Sequence, residues 1–156
     1  MSSYFSSYFS PKRGTADVII GFIDRCETTL DIAVYSITHD QISESIIRAH
    51  NRGVKVRVLI DKSQAGNKYA DDEKFEEAGI EVRRDTQSGL MHHKFAIDGK
   101  KAIGLGSFNW SKNADQRNAE NWNIVRLKYV VEDYQKEFNY MWDLNAPIIE
   151  EPESVQ

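Results

Sequence analysis

The fold is predicted most directly from residues 30–60, which read LDIAVYSITHDQISESIIRAHNRGVKVRVLI. The first eight residues are mostly apolar, with β-branched and aromatic side chains that suit a buried strand. Asp40 can cap a helix whose isoleucines fall on one stripe, and Asn51 and Gly53 end that helix. Residues 54–60 alternate as a second strand. Strand, helix and strand in this order predict two parallel strands joined by a right-handed crossover.

Similar elements continue on both sides of this unit. Apolar residues at helical spacing occupy residues 15–29 after Gly14, and a short charged helix ends at Gly79. Residues 80–84 then read as a third strand. All three prolines lie outside residues 12–146, so regular structure can continue there without interruption. These patterns predict an α/β fold built on a parallel sheet.

The second half of the chain has a different pattern. Residues 92–105 contain two short apolar strands on either side of Asp98-Gly99, a dipeptide that favours a tight hairpin. Residues 120–127 alternate as another strand. Residues 129–144 place apolar side chains along one helical face, which predicts a helix packed against the sheet.

The composition is that of a small globular protein. The chain has 156 residues and a mass of 17.9 kDa, enough for one domain, which we expect over residues 1–146. Residues 147–156 read as an acidic, flexible tail. No apolar run approaches the roughly 20 residues of a membrane helix, and residues 1–10 lack the features of a signal peptide. The single Cys26 excludes an internal disulfide and a multi-cysteine zinc site. We therefore expect a cytoplasmic protein.

The net charge of −4 conceals an uneven distribution. Residues 129–156 contain one basic and seven acidic residues, whereas residues 86–128 contain seven basic and three acidic residues. A locally basic region is expected in a protein that binds nucleic acid. A solvated mixture of charges gives the same counts, so charge alone does not decide between these interpretations.

His92 and Lys94 are the first candidates for chemistry. Residues i and i+2 of a strand share a face, so these side chains are expected to project together while His93 points the other way. An imidazole beside a fixed ammonium suits an anionic reacting group, since the ammonium neutralises charge on the oxygens that do not react. Because the two histidines face opposite sides, and no paired carboxylates lie nearby at ligand spacing, we predict no metal site.

Three polar residues downstream strengthen this interpretation. Ser107 and Asn109 follow the second hairpin strand in a small turn that offers hydrogen-bond donors for phosphate oxygens. Glu120 opens the next strand and can pair with an imidazole, stabilising its protonated form. Each residue also has an ordinary structural explanation, as a turn serine, a capping asparagine and an edge glutamate.

Taken together, these residues resemble the signature of the phospholipase D superfamily, H-x-K-x4-D-x6-G-S-x-N. The matching sequence is MHHKFAIDGKKAIGLGSFNWS (residues 91–111), followed by AEN. YFSP near the start, LDIAVYSIT, RGVKVRVLID and the final tryptophan-containing helix resemble the small bacterial endonucleases of that superfamily. The resemblance also extends to mitochondrial members with a single motif. It implies a mixed, mostly parallel β-sheet sandwiched between helices.

One position of the signature is displaced. Three residues separate Lys94 from Asp98, where the family has four, so the family position falls on Gly99. The separation from His92 to Gly106 is 14 residues, as in the family, which indicates a hairpin tip shifted by one residue. We include Asp98 among the predicted catalytic residues with this displacement noted.

The resemblance implies a mechanism and an assembly. Members with a single motif form one active site by homodimerisation, in which one His92 attacks phosphorus and the other protonates the leaving oxygen. Lys94 and Asn109 would hold the non-bridging oxygens, Ser107 would support them, and Glu120 would orient His92. No metal or other cofactor is required, because lysines and histidines neutralise the charge.

The leading functional hypothesis is a phosphodiesterase acting on nucleic acid, on DNA rather than RNA, as an endonuclease with little sequence preference. Flanking phosphates would be contacted by Lys100, Lys101, Lys112 and Arg117. Trp110 is available to stack on a base, although packing in the core explains it equally well.

Two alternatives remain open at this point. A phospholipase acting on phosphatidyl lipids would use the same chemistry, with Tyr4-Phe5 and Tyr8-Phe9 as its only candidate membrane contacts. A first strand with buried aromatic residues explains at least one of these pairs as well, and no membrane partner is expected. A catalytically silent nucleic-acid-binding module is favoured only by the displaced Asp98.

Overall fold

The computed structural model describes residues 3–147 and 154–155. The strands are β1 (Phe5–Phe9), β2 (Thr29–Val34), β3 (Lys55–Asp61), β4 (Glu81–Asp85), β5 (Lys94–Asp98), β6 (Ala102–Gly106) and β7 (Asn121–Val125). The helices are α1 (Thr15–Asp24), α2 (Asp40–Asn51), α3 (Asp72–Glu77), α4 (Lys112–Gln116) and α5 (Lys128–Leu144). Most of the predicted acidic tail lies outside the described residues. Among the described helices, none combines the length and apolar character needed to cross a membrane.

The strands form one mixed sheet in the order β1-β7-β6-β5-β2-β3-β4. β2, β3 and β4 are parallel, as the repeated strand and helix pattern predicts. The remaining pairings are antiparallel, and one of them joins β5 to β6 through a tight turn. In the described sheet five strands therefore run in one direction and two, β5 and β7, run in the other. The predicted α/β fold is confirmed.

Helices cover both faces of the sheet, as the resemblance implies. On one face, α1, α2 and α3 bury an apolar cluster that includes Ile42 and Ile46, both fully inaccessible to solvent. On the other face, α5 packs Phe138 and Trp142 against alternate residues of the central strands. Complete burial of one such side chain contributes about 1.5–3 kcal/mol. Alternate residues of the strands therefore pack into two separate cores, one on each face of the sheet.

The N-terminal cap of α2 differs from the prediction. His39 is the capping residue, and its Nδ1 accepts a hydrogen bond from the amide of Ile42 at 3.4 Å. Asp40, predicted as the cap, lies one position later, in the first turn. A carboxylate there is still favourable, because the first turn carries the positive end of the helix dipole.

The register of the sheet defines two ends that matter for function. Lys94 pairs with Val34 of β2, and Phe95 pairs with Leu105 of β6. The start of β5 therefore lies beside the ends of β2 and β6, and we call this the His92 end. The predicted hairpin between β5 and β6 is confirmed, and its tip, where Gly99 adopts a φ of 51°, lies at the opposite, hairpin end.

Candidate active site

His92 and Lys94 are in direct contact. The Lys94 Nζ lies 2.9 Å from the His92 Nδ1 and donates to the His92 carbonyl oxygen at 2.6 Å. His92 is exposed, whereas Lys94 is buried at the start of β5. The Lys94 Nζ also lies 3.2 Å from the His92 Nε2, so it faces the edge of the ring between the two nitrogens. The predicted juxtaposition is present, although His92 and His93 lie just before the strand rather than within it.

Burial and one nearby charge act on Lys94 in opposite directions. Burial lowers the pKa of Lys94 below its usual value, because the charged form loses hydration. The Glu120 carboxylate opposes this by raising the same pKa. Within the described residues Glu120 makes no side-chain hydrogen bond to His92, so its visible influence is on the lysine. The predicted role of Glu120 in orienting His92 is not seen in this single chain.

Tyr35 completes this cluster and was missed in the sequence. Its ring centroid lies 4.8 Å from that of His92, and the Lys94 Nζ lies 5.4 Å from the ring centroid of Tyr35. Tyr35 directly follows β2, whose last residue pairs with Lys94. Register between these two strands would have revealed the contact, but a single sequence does not specify which strands pair.

Ser107 is fixed by reciprocal bonds to the start of β7. The Ser107 amide donates to the Asn121 carbonyl oxygen at 3.0 Å, and the Asn121 amide donates to the Ser107 Oγ at 3.0 Å. A Cβ on Gly106 would lie 2.1 Å from the Asn121 carbonyl oxygen, so only glycine permits this approach. Ser107 is exposed, and its hydroxyl, which accepts the Asn121 bond, retains a proton to donate.

Asn109 is held between two buried aromatic residues. Phe108 and Trp110 are fully inaccessible to solvent, which anchors this loop on the core. The Asn109 Oδ1 is buried and has no hydrogen-bond partner within the described chain. An unsatisfied buried polar atom costs about 1–3 kcal/mol, so a ligand or a second subunit that supplies a partner would be favoured here.

Three predicted residues lie at the hairpin end, away from His92. Asp98 is the last residue of the five-residue β5, about 13 Å along the strand from Lys94. It is 8% exposed, and burial raises its pKa. Lys100 and Lys101 follow it in the turn, where the Lys101 Nζ lies 3.5 Å from Glu27. The structure therefore does not bring Asp98, Lys100 or Lys101 to the His92 site.

Trp110 cannot stack on a bound base. Its side chain is fully buried and packs edge to face against Trp122, with ring centroids 6.0 Å apart. The Trp110 carbonyl oxygen also accepts hydrogen bonds from the amides of Thr38 and His39. The prediction of base stacking is wrong, and packing in the core is the correct alternative.

Lys112 and Arg117 remain exposed near the His92 end. They bracket α4, which joins the end of β6 to the start of β7. Two further exposed basic residues, Lys12 and Arg13, lie beside this helix, since the Lys12 amide donates to the Asp115 carbonyl oxygen at 2.8 Å. They were missed because α4 and the loop before α1 are remote in sequence.

A cleft of about 420 Å³ opens beside His92. His93, Met91, Leu90 and Asp85 contribute to its lining. Over residues 3–147 and 154–155, we find no cluster of three or more histidine, cysteine, aspartate or glutamate residues able to hold a metal ion.

Comparison with known proteins agrees with the geometry. The chain belongs to the phospholipase D-like family, because residues 19–142 match the family described as cardiolipin synthase, PLD-like domain. It is 38% identical over 125 residues to a mitochondrial cardiolipin hydrolase of Chlamydomonas reinhardtii, covering 80% of this chain and 56% of that protein. It is 35% identical over 132 residues to a phospholipase D of Rickettsia prowazekii, covering 85% and 64%. The chain thus spans less than two thirds of these relatives.

The fold is also found in a solved structure. Nuc from Salmonella typhimurium, described as a phospholipase D family member, superimposes with a TM-score of 0.86. The match covers 91% of this chain and 95% of that one, at 23% sequence identity. At this identity the likeness shows the fold alone.

Proposed function

We propose that this protein is a phosphodiesterase that hydrolyses phosphodiester bonds in nucleic acid, with His92 as the nucleophile. The observation that carries the proposal is the contact between the exposed His92 imidazole and the buried Lys94 ammonium. An imidazole nitrogen whose lone pair is free can attack phosphorus, and the adjacent ammonium offsets the charge repulsion between the nucleophile and the anionic substrate. Membership of the phospholipase D-like family supports this chemistry.

The first step is displacement at phosphorus. A His92 nitrogen forms a bond to phosphorus while the bond from phosphorus to one bridging oxygen breaks, giving a covalent phosphohistidine. The departing oxygen takes a proton from a general acid. In the second step water attacks phosphorus, loses its proton to the same group, and releases His92.

A second copy of the chain would supply that acid. The sequence contains one His-x-Lys pair, and His92 lies at the surface rather than inside a closed pocket. Twofold symmetry would place His92 of the second copy opposite the first, on the far side of the scissile phosphate. We therefore propose a homodimer with one shared active site.

Lys94, Ser107 and Asn109 would hold the non-bridging oxygens. β5 and β6 are neighbours in the sheet, about 4.8 Å apart, and Ser107 lies just beyond the end of β6. The Ser107 hydroxyl has a proton to donate, and the Asn109 carboxamide would donate through its Nδ2. Groups of this kind stabilise charge that develops on the oxygens in the transition state.

Exposed basic residues favour a polyanionic substrate. Four exposed basic residues surround α4 near the His92 end of the sheet: Lys12, Arg13, Lys112 and Arg117. Contacts from lysine and arginine to phosphates supply most of the sequence-independent affinity for nucleic acid. We propose DNA rather than RNA as the substrate, cleaved with little sequence preference.

A phosphatidyl lipid is the second candidate substrate. The two relatives described above are named cardiolipin hydrolase and phospholipase D. In addition, Tyr4, Phe5 and Phe9 are 70%, 55% and 48% exposed on and beside the edge strand β1. Exposed aromatic side chains are common at the surface of proteins that bind membranes.

The test is cleavage of supercoiled plasmid, a single-stranded RNA and cardiolipin vesicles by the purified chain in excess EDTA. His92→Ala is expected to abolish cleavage, whereas His93→Ala, a neighbouring histidine outside the proposed machinery, is expected to retain it. Nicking of plasmid by wild type supports the nuclease; release of phosphatidic acid without nicking supports the lipase. Plasmid binding without any cleavage would overturn both and leave a silent binding module.

A further inference from the structure

Asp61 is a buried carboxylate that the proposed chemistry does not use. It ends β3, and its side chain is inaccessible to solvent. Its Oδ1 accepts from the Met91 amide at 2.7 Å, and its Oδ2 accepts from the Ser63 amide at 2.9 Å and the Ser63 hydroxyl at 2.5 Å. A buried carboxylate needs such compensation, and here it is supplied by hydrogen bonds to two separate segments.

The first segment leads directly into His92. Met91 is the residue before His92, so the bond from its amide fixes the backbone at the base of the imidazole. Lys62, the residue directly after β3, holds the start of the same segment. Its Nζ donates to the carbonyl oxygens of Thr86 at 3.2 Å and Gln87 at 2.9 Å. The end of β3 thus anchors residues 86–91 at both ends.

The second segment leads to the ring against which His92 packs. The Ser63 Oγ lies 3.5 Å from the Tyr35 hydroxyl, and the Gln64 Nε2 donates to that hydroxyl at 3.2 Å. The Tyr35 ring in turn contacts both His92 and the Lys94 ammonium. A path of side chains therefore connects Asp61 through Ser63 and Tyr35 to the reacting imidazole.

Asp61 is ionised at neutral pH. Burial alone would raise the pKa of Asp61, but the hydrogen bonds from Ser63 and Met91, with the charge of Lys62, lower it below the usual value. A carboxylate that remains ionised and accepts three hydrogen bonds is suited to fixing geometry rather than to transferring protons.

We propose that Asp61 is a positioning residue, which sets the orientation of His92 through the Met91 amide and through the Ser63–Tyr35 contact. The proposal rests on the proposed role of His92 as nucleophile. Asp61 touches none of the reacting atoms. Its effect is expected on the rate of attack, since a displacement of about 1 Å at a reacting group can cost roughly 100-fold in rate.

Asp61→Asn is the principal test, with kcat and KM measured on whichever substrate wild type cleaves. An amide matches the carboxylate in size, but its NH2 group would face either the Met91 amide or the Ser63 donors. Two donors that face each other cannot form a hydrogen bond. We expect kcat to fall about 100-fold while KM changes less than about threefold. Asp31→Asn is the matched control, because Asp31 is also buried, on the neighbouring β2, but accepts hydrogen bonds from Arg57 and Gln135 instead. The control should lose stability and keep kcat.

Ser63→Ala and Tyr35→Phe provide a second test if Asp61→Asn does not fold. Each removes one hydroxyl of the same path and leaves the Met91 bond in place. If the path acts as a unit, the double variant should lose no more kcat than the more impaired single variant. Additive losses in the double variant, or unchanged kcat in Asp61→Asn, would overturn the positioning role. Full activity in His92→Ala would instead refute the proposed function.

Discussion

At the scale of single residues, the site depends on a buried lysine that contacts the His92 imidazole. Lys94 gains a hydrogen bond to the His92 carbonyl oxygen and a contact with Tyr35, but it loses hydration. Burial lowers its pKa, and Glu120 opposes that change. Lys94 therefore loses its proton at a lower pH than an exposed lysine does, and we expect the proposed activity to be sensitive to alkaline pH.

Glu120→Gln should move the alkaline limb of the pH–rate profile to lower pH. Removing the carboxylate removes the influence that raises the Lys94 pKa, so the ammonium is lost at a lower pH than in wild type. The measurement is kcat/KM against pH for both proteins. Glu27→Gln, which alters an exposed partner of Lys101 at the hairpin end, should leave the limb in place. An unchanged limb in Glu120→Gln would show that Lys94 does not control it.

Predictions about individual residues succeeded where chemistry and spacing coincide. The pairing of His92 with Lys94 follows from two residues of separation in an extended segment, and the structure confirms their contact. Trp110 was ambiguous, because an aromatic residue next to polar turn residues suits either a base or a core. Its burial depends on Trp122, which is twelve residues later in the chain, so local sequence does not decide it.

At the scale of elements, the loop after β6 is shaped by the close approach of β6 and β7. Gly106→Ala would place a methyl group against the Asn121 carbonyl oxygen. We expect a loss of about 1–3 kcal/mol in the free energy of unfolding, as for other overpacked sites, together with reduced kcat because Ser107 moves. Denaturant unfolding and single-substrate kinetics measure the two effects.

Gly21→Ala is the control for that prediction. Its new Cβ would lie 3.5 Å from the flexible Arg25 side chain, in the middle of α1, so alanine should stabilise the helix by about 0.5–1 kcal/mol. Equal effects of the two substitutions would contradict the close packing of β6 and β7.

The alternation of apolar residues predicts β3 and β7, short apolar runs predict β2 and β5, and helical spacing predicts α1, α2 and α5. α4 was missed because its five residues, KNADQ, contain a single buried side chain, Ala114, and no apolar stripe. The antiparallel pairing of β5 with β2 was also beyond the sequence, because strand order depends on which faces the helices cover. Consequently the contact between Tyr35 and His92 emerged only with the sheet register.

At the scale of the whole molecule, exposed basic side chains lie at both ends of the sheet. Lys112 and Arg117 are at the His92 end, and Lys100 and Lys101 are at the hairpin end. The double variant Lys112→Gln, Arg117→Gln is expected to weaken binding to a DNA duplex and to reduce the slope of log K against log salt by about 1–2. Fluorescence anisotropy at several salt concentrations measures the slope. Lys100→Gln, Lys101→Gln removes the same charge at the hairpin end and should change it little. Equal effects would indicate binding by net charge alone.

The proposed assembly predicts that inactive copies impair active ones. Equal amounts of wild type and His92→Ala are denatured together and refolded. With a shared site, the mixture should have about a quarter of the activity of the same total amount of wild type, because only wild-type pairs have both histidines. Independent sites would leave about half. Sedimentation velocity on the wild type should show a dimer, and a fully active monomer would contradict the shared site.

The role of His92 as nucleophile is tested most directly by trapping the covalent intermediate. Wild type is mixed with cleavable oligonucleotide, quenched in alkaline denaturant during turnover and digested with trypsin. Tandem mass spectrometry should then find the phosphoryl adduct on His92 of peptide 85–94 and none on His93. His92→Ala should yield neither adduct nor product. An adduct on another residue, or continued turnover by His92→Ala, would contradict the mechanism.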